Sequence, residues 1–462
     1  MNFVFYDTET TGLDSTFDQI LQFAAILTDS DFNELGRFEM RCRIQPHIIP
    51  APEALLATRV SPDMLTDLQL PSHYQFMREV VSTLKDWSPA IFLGYNTLNF
   101  DEPMLRQAFF QTLHPIFLTN TDGNQRCDVF RLVQATAALK PDVISVPKSR
   151  AGKPVLKLDQ LAPANGFAHE NAHDAMADVE ATIFIANLVR TRAPKIWESL
   201  IPLAKKSKVI QRISHEKVNC LVDGFLGERA VYPVVGCSVQ SINTSLMAVF
   251  DLSYEPENYL YLSVDKILEV MNGPEKAIKT IYINKMPMLL AIEHVRNLEQ
   301  KFQLSIAEIQ KRARCVSEAK QFHENVTCAL KLRFPNEKSE KTIEKRIYER
   351  FPSKSDQKLM REFHSGDASR QLEIISLFDD DRLQEIGRRI VFLETPAALN
   401  GDLRLKLKKW VYNRKNGRDG ITSGRTIKEA NSAISELLKK MPKCHDEITV
   451  IQNWLESRLQ DL

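Results

Sequence analysis

The chain has 462 residues, 44% hydrophobic and 26% charged, with a net charge of +1. This is ordinary globular composition, long enough for two to four domains with real cores. It contains no run long and apolar enough to span a membrane, and the N-terminus enters an apolar stretch without the basic region and cleavage site of a leader.

Residues 1–190 alternate strand and helix signals. "FVFYDTE" is a short apolar run ending in acids, and "QILQFAAILTD" and "GRFEMRCRI" read as further strands around a turn at "DSDFNELG". "YQFMREVVSTLKDW" has helical spacing and "AIFLGYN" reads as a buried strand. "DEPMLRQAFFQTL" and "CDVFRLVQATAAL" predict helices, and "KLDQLAPANG" a short one with Asn-Gly as its stop. A long helix from Asp174 closes the unit, an α/β domain around a mixed sheet.

The text then changes. A basic stretch (Lys195, Lys205, Lys206, Lys208, Arg212) leads into "RAVYPVVGCS", "SLMAVFDLS", "YLYLSV" and "AIKTIYIN", read as the strands of a small β-sheet or barrel trailing into helices. "PNEKSEKTIEKR" suits a linker or an exposed helix, and the remainder is helical and charged. Residues 1–195 carry 17 Lys/Arg against 23 Asp/Glu, and the remainder 43 against 36. An acidic first part beside a basic second part suits a metal site attached to something that holds a polyanion. Seven cysteines, odd in number and never spaced as CxxC, argue against a disulfide framework and a zinc knuckle, and make a reducing cytoplasm the simplest home.

Three places put acids at the ends of elements. Asp7 and Glu9 share one face of a strand and repel each other unless a cation neutralises them; carboxylate oxygens suit magnesium or manganese. Asp101 opens a helix, with Glu102 in its first turn. His173 and Asp178 are five residues apart, which on one continuous helix would aim them about 140° apart. Asp174 is a good N-cap, so the helix can begin after His173 and leave it in the preceding loop, from where it and Asp178 can converge. Each place alone is explained by capping and solvated acids. Together, in this order, they point to one site.

D-x-E in "YDTETTG", then "YNTLNFD", then H-x4-D in "HDAMAD" resemble the three motifs of the DEDDh 3′→5′ exonucleases, which have a ribonuclease-H-like fold. "QFAAILTDSDFNELG", "GYNTLNFDE", "ANGFAHENAHDAMADVEATI" and "YINKMPML" narrow the likeness to the bacterial exonuclease I family. It is strong over the first domain, thinner in the second and weak in the last. It implies an exonuclease domain (1–195), an SH3-like DNA-binding domain (196–345) and a C-terminal helical DNA-clamp domain (346–462). The implied activity is processive 3′→5′ degradation of single-stranded DNA to 5′-mononucleotides, in DNA repair and recombination.

The resemblance also assigns roles. Two divalent ions, Mg2+ with Mn2+ as a substitute, would sit about 3.5–4 Å apart. Asp7 would bridge them, Glu9 and Asp178 complete the first site, and Asp101 support the second. His173, whose imidazole titrates near neutrality, would take the proton from the attacking water. Thr10 and Glu9 would meet the terminal nucleotide, and Lys157 matches a basic substrate contact. Arg106 and Lys140 would be phosphate contacts or ordinary exposed charges. Lys205, Lys206 and Lys208, with Tyr348, Arg350 and Phe351 in "RIYERF", are candidates for the clamp. Trp410 and Tyr412 at helical spacing read rather as core. A zinc site of His169, His173 and Asp178 is the weaker reading, because no cysteine assists. The expected partners are single-stranded DNA and the acidic tail of single-strand DNA-binding protein, with no membrane, and the chain is expected to be a monomer. The competing readings are a proofreading exonuclease or 3′→5′ ribonuclease with the same site, and a non-catalytic binding scaffold.

Overall fold

The structure, a computed structural model, describes residues 1–458 except 169–172, 215–217, 224–229, 240–244, 296–297, 334–341 and 419–423. The first sheet holds β1 (Asn2–Thr10), β2 (Ile20–Thr28), β3 (Glu34–Arg41), β4 (Ala90–Leu93) and β5 (Gln125–Arg126). Its order is β3-β2-β1-β4-β5. β1 to β3 run antiparallel, while β4 and β5 join parallel to β1. β1 is central and covered on both faces, which is why its apolar residues run almost without a break.

Alternation along β1 divides two cores. Phe3 and Phe5 face the helix Ala175–Arg192, and Val4 and Tyr6 face the helices His73–Asp86 and Asp101–Gln111. Asp7 and Glu9 continue the Phe3/Phe5 face. Phe32 meets Phe3, Phe5 and Trp197 edge-on at ring-centroid distances of 5.4, 5.1 and 5.6 Å. Burying each such side chain contributes roughly 1.5–3 kcal/mol.

The second sheet is antiparallel throughout: β6 (Asn219–Val222), β7 (Val231–Gly236), β8 (Leu246–Asp251), β9 (Ile278–Tyr282) and β10 (Leu289–Ala291), in the order β10-β6-β7-β8-β9. The predicted strand "YLYLSV" is not among them. Pro256 opens a 3-10 turn there, and Ser263 caps the helix Val264–Asn272 by accepting from the Lys266 N–H, so local turn and cap chemistry overrides β-propensity. The sequence reading also passed over β5, β6, β10 and the short helices Pro52–Thr58 and Pro62–Thr66. The core does not break near residue 195: one continuous apolar cluster runs from Phe3 through Trp197 and Val234 to Leu330.

The last part of the chain is helical and packs in two places. Residues 347–407 cover Tyr74, Phe110 and Leu113, and the helices Ile427–Lys440 and His445–Ser457 cover Leu21, Ile44 and Leu55. Arg425 also donates to Asp18 Oδ1 (3.2 Å) and to the Ile49 carbonyl (3.1 Å), gripping the loop that follows β1. Within that loop, Phe17 lies under the Arg414 guanidinium, 5.0 Å from the ring centroid.

Candidate active site

The site forms where β1 ends. A register shift between Glu9 and Thr10 closes the strand, and the Thr10 hydroxyl donates to the Gly12 carbonyl (2.8 Å). The Phe3/Phe5 face delivers Asp7 and Glu9 to the start of the Ala175 helix. There Asp178 meets them: carboxylate oxygens of Asp7, Glu9 and Asp178 all lie within 4.8 Å of one another. Thr8, pointing the other way, donates both its N–H (3.1 Å) and its hydroxyl (2.6 Å) to Asp101 Oδ1. Asp101 therefore lies beside the trio, held through the strand's opposite face.

The helix start is fixed as its sequence suggests. Asp174 is the N-cap and accepts from the Ala177 N–H. Its second oxygen accepts from Gln22 Nε2 (3.1 Å) and Arg41 Nη2 (2.8 Å). Gln22, fully buried on β2 directly opposite Glu9, also accepts from the Ala175 N–H and donates to Glu39 (2.8 Å). His173 precedes the cap, exposed and with a left-handed backbone (φ 68°), a conformation that costs a non-glycine residue about 1 kcal/mol or more. His169 lies outside the described residues.

The Asp101 loop is built with equal care. A Cβ on Gly94 would stand 2.3 Å from the Tyr6 carbonyl oxygen, so only glycine lets the chain leave β4 this close to β1. Asp128, fully buried, accepts from the N–H groups of Asn96, Leu98 and Phe130 and shapes the turn. Tyr95 donates to the Leu156 carbonyl (2.5 Å), drawing in the segment that carries Lys157, which is exposed at the start of the helix Leu158–Ala164.

These carboxylates are crowded. Burial, followed by the charges of Asp178, Asp101 and Asp174, pushes Glu9 up to about 8, with Arg41 opposing. Burial together with Asp101, Asp178 and Glu9 holds Asp7 well above the usual carboxylate range. Burial raises Asp101 to about 7 despite its bonds from Thr8. A cluster of hard oxygen donors that cannot all ionise unaided is one a divalent cation fits, because the ion neutralises the repulsion burial intensifies.

Three further candidate substrate contacts lie in other parts of the fold. Arg106 is largely buried and ion-paired to Glu102 (2.8 Å), which also takes Arg126 (2.8 Å) and the hydroxyls of Thr119 and Tyr6. Arg106 is thus not an ordinary exposed charge, the second of the two readings its sequence allowed. Lys140 ends the helix Val129–Leu139, whose first N–H bonds Gly94; about 16 Å of helix carries it away from the site. Lys206 begins the helix Lys206–Ser214, half-buried, and that helix packs Val209 and Ile213 into the large core.

Residues 4–186 match the family model described as Exonuclease. The chain is 27% identical over 482 residues to exodeoxyribonuclease I of Haemophilus influenzae, covering 96% of this chain and 98% of the relative. To exodeoxyribonuclease I of Escherichia coli it is 31% identical over 308 residues, 64% of each. The crystal structure of E. coli exonuclease I in complex with a dA16 oligonucleotide superposes with a TM-score of 0.85 at 24% identity, over 99% of this chain and 98% of that one. A structure of SSB/exonuclease I with an inhibitor superposes at 0.82 and 23% identity, over 99% and 98%. These likenesses extend the shared fold across all three parts of the molecule, far beyond the nuclease sheet. Along nearly its whole length the chain is similar to bacterial exodeoxyribonuclease I.

Proposed function

We propose that this protein is a metal-dependent exonuclease that removes nucleotides from the 3′ end of single-stranded DNA. The observation that carries the reading is the convergence of Asp7, Glu9 and Asp178 beside Asp101 at the end of the central strand. Asp7, Glu9 and Asp178 would hold one divalent ion, and Asp7 with Asp101 a second, Mg2+ with Mn2+ as its substitute. Bound there, the ions supply charge neutralisation and Lewis acidity to phosphodiester hydrolysis. His173 accepts the proton of the attacking water. The water oxygen bonds to phosphorus, the bond from phosphorus to the 3′ oxygen breaks, and a 5′-mononucleotide leaves. The exposed position of His173 ahead of the helix leaves it free to approach from the solvent side. Thr10 and Lys157 border the terminal nucleotide.

The basic second and third parts hold the strand, and the charge asymmetry of the sequence supports this. The same surfaces take the acidic tail of single-strand DNA-binding protein. The protein acts as a monomer in the cytoplasm, its nuclease and SH3-like parts sharing one continuous core and its helical part beginning near residue 345. The test is single-stranded DNA labelled at its 5′ end, with and without magnesium. Stepwise shortening from the 3′ end that needs the metal and outpaces that of RNA or duplex DNA is expected. Tight binding without shortening would replace the enzyme with a scaffold, and faster loss of RNA would overturn the substrate.

A further inference from the structure

The loop of residues 11–19 follows Glu9 and Thr10 directly as the chain leaves β1. Thr11 is fully buried and ties this loop together. Its N–H donates to the Gln19 carbonyl (2.9 Å), its hydroxyl accepts from the Gln19 N–H (2.8 Å), and its carbonyl accepts from the Ala51 N–H (2.7 Å). The same hydroxyl donates to Asp18 Oδ1 (2.8 Å), while Asp18 Oδ2 accepts from the Asp14 N–H (2.9 Å). Asp18 comes so close that a Cβ on Gly12 would lie 2.4 Å from its Oδ2, and the Gly12 carbonyl is the partner of the Thr10 hydroxyl. The position of Asp18 is thus passed to the residues that end β1.

Asp18 has its charge partner in the last part of the chain. Its side chain is 5% exposed, and a carboxylate buried so deeply needs a compensating charge. Arg425 supplies it from just ahead of the helix Ile427–Lys440, and the same guanidinium nitrogen donates to the Ile49 carbonyl, two residues before Ala51. One side chain therefore meets both arms that converge on Thr11: Asp18 on its hydroxyl, and the segment from Ile49 to Ala51 on its carbonyl. The loop is braced through an aromatic ring as well. Phe17 carries the Arg414 guanidinium and, 5.6 Å from its ring centroid, the Lys345 ammonium. Lys345 is itself held at the Asp101 helix, where Gln107 donates to the neighbouring Glu344 carbonyl (3.1 Å).

We infer that Arg425 is a positioning residue of the nuclease site: acting through Asp18 and Thr11, it fixes the end of β1 so that Glu9 presents its carboxylate beside Asp7 and Asp178 to a divalent ion. The last part of the chain then serves the chemistry as well as the strand. This rests on the nuclease reading and extends it to what sets metal affinity. The experiment titrates the full chain with Mn2+ alone, by calorimetry and without DNA. Arg425→Ala should weaken binding of the ion roughly tenfold, the size of loss expected when a group supporting a metal ligand is removed. At a fixed Mn2+ concentration it should lower kcat by a similar factor on the p-nitrophenyl ester of thymidine 5′-monophosphate, which has no second nucleotide to reach the last part of the chain, with KM nearly unchanged. Arg425→Lys keeps the charge and should recover most of both losses. Asp18→Asn should reproduce them, and Asp18→Asn/Arg425→Ala should cost little more than either change alone, because both break one path. Affinity for a long oligothymidylate in EDTA should stay near the wild-type value throughout, which separates a misplaced carboxylate from a damaged fold or a lost strand contact. Wild-type Mn2+ affinity in Arg425→Ala or in Asp18→Asn would overturn the inference, as would a joint loss of ion and oligothymidylate binding. Digestion of single-stranded DNA by the wild-type protein is scored separately, so a failed nuclease reading shows there and a failed relay shows in the Mn2+ titration.

Discussion

Asp7 and His173 carry different parts of the chemistry, and their variants should fail differently. Asp7→Ala removes the carboxylate common to both proposed ion sites and should abolish metal-dependent turnover. His173→Ala should lower the hydrolysis rate by roughly 10²–10⁴ while strand binding stays near the wild-type value. Single-turnover rates and binding isotherms on the same variant check this, and near-wild-type turnover would remove His173 from the proton transfer. Gly94 yields a prediction of another kind. With 2.3 Å between its added Cβ and the Tyr6 carbonyl oxygen, Gly94→Ala must move backbone. It should cost about 1–3 kcal/mol by chemical denaturation and disturb the Asp101 loop with it. Much at this scale was legible in the sequence, because acids at the ends of apolar runs conflict with burial and so mark themselves. Arg106 was not, since a lysine or arginine reads as solvated until its buried carboxylate is seen four residues away.

Among elements, the Ala175 helix is the part that must be held. It brings Asp178 to the strand, and its first turn is fixed to β2 and β3 by Gln22 and Arg41 through Asp174. Gln22→Leu keeps the volume but leaves the Asp174 cap and the Ala175 N–H short of partners. It should cost about 1–3 kcal/mol in stability and lower turnover without altering salt dependence of binding. A variant with full activity would show that the cap alone positions Asp178. The one amide in the apolar run "ILQFAAILT" was the visible signal for Gln22, but strand alternation gave no means of telling which helix it would meet. The missing strand at "YLYLSV" has the same origin: local pattern sets an element's preference, while Pro256 and Ser263 decided its form. Long periodic segments such as the helices at Asp101 and Ala175 were legible because their apolar faces match a single sheet.

For the whole molecule, charge and packing join the three parts. Glu344 is buried between Arg389 (2.8 Å) and Arg414 (2.5 Å), and despite the upward push of burial their charges hold it down to about 2. Its folded value lies below the ordinary one, so its contribution is complete above about pH 4.5 and is lost as pH falls toward 2. The difference corresponds to about 3 kcal/mol. Denaturant midpoints between neutral pH and pH 3 should fall more steeply for the wild-type protein than for Glu344→Gln; parallel curves would assign Glu344 no such part. Binding of single-stranded DNA should weaken steeply with salt through counterion release, and a flat response would reject the basic clamp. The asymmetry of charge that suggested a clamp was legible from counting, but its geometry was not. Contacts between residues hundreds of positions apart, such as Gln107 with Glu344, leave no local pattern.

The grip of Arg425 on Asp18 spans 407 positions of the chain. The final brace on the loop beside the carboxylates is thus added late in synthesis, after the strand that bears Asp7 and Glu9 has long left the ribosome. An interrupted chain would carry the acids without the finished approach to them. The order in which the chain is made therefore leaves this brace on the approach to the carboxylates unmade until most of the molecule has been translated.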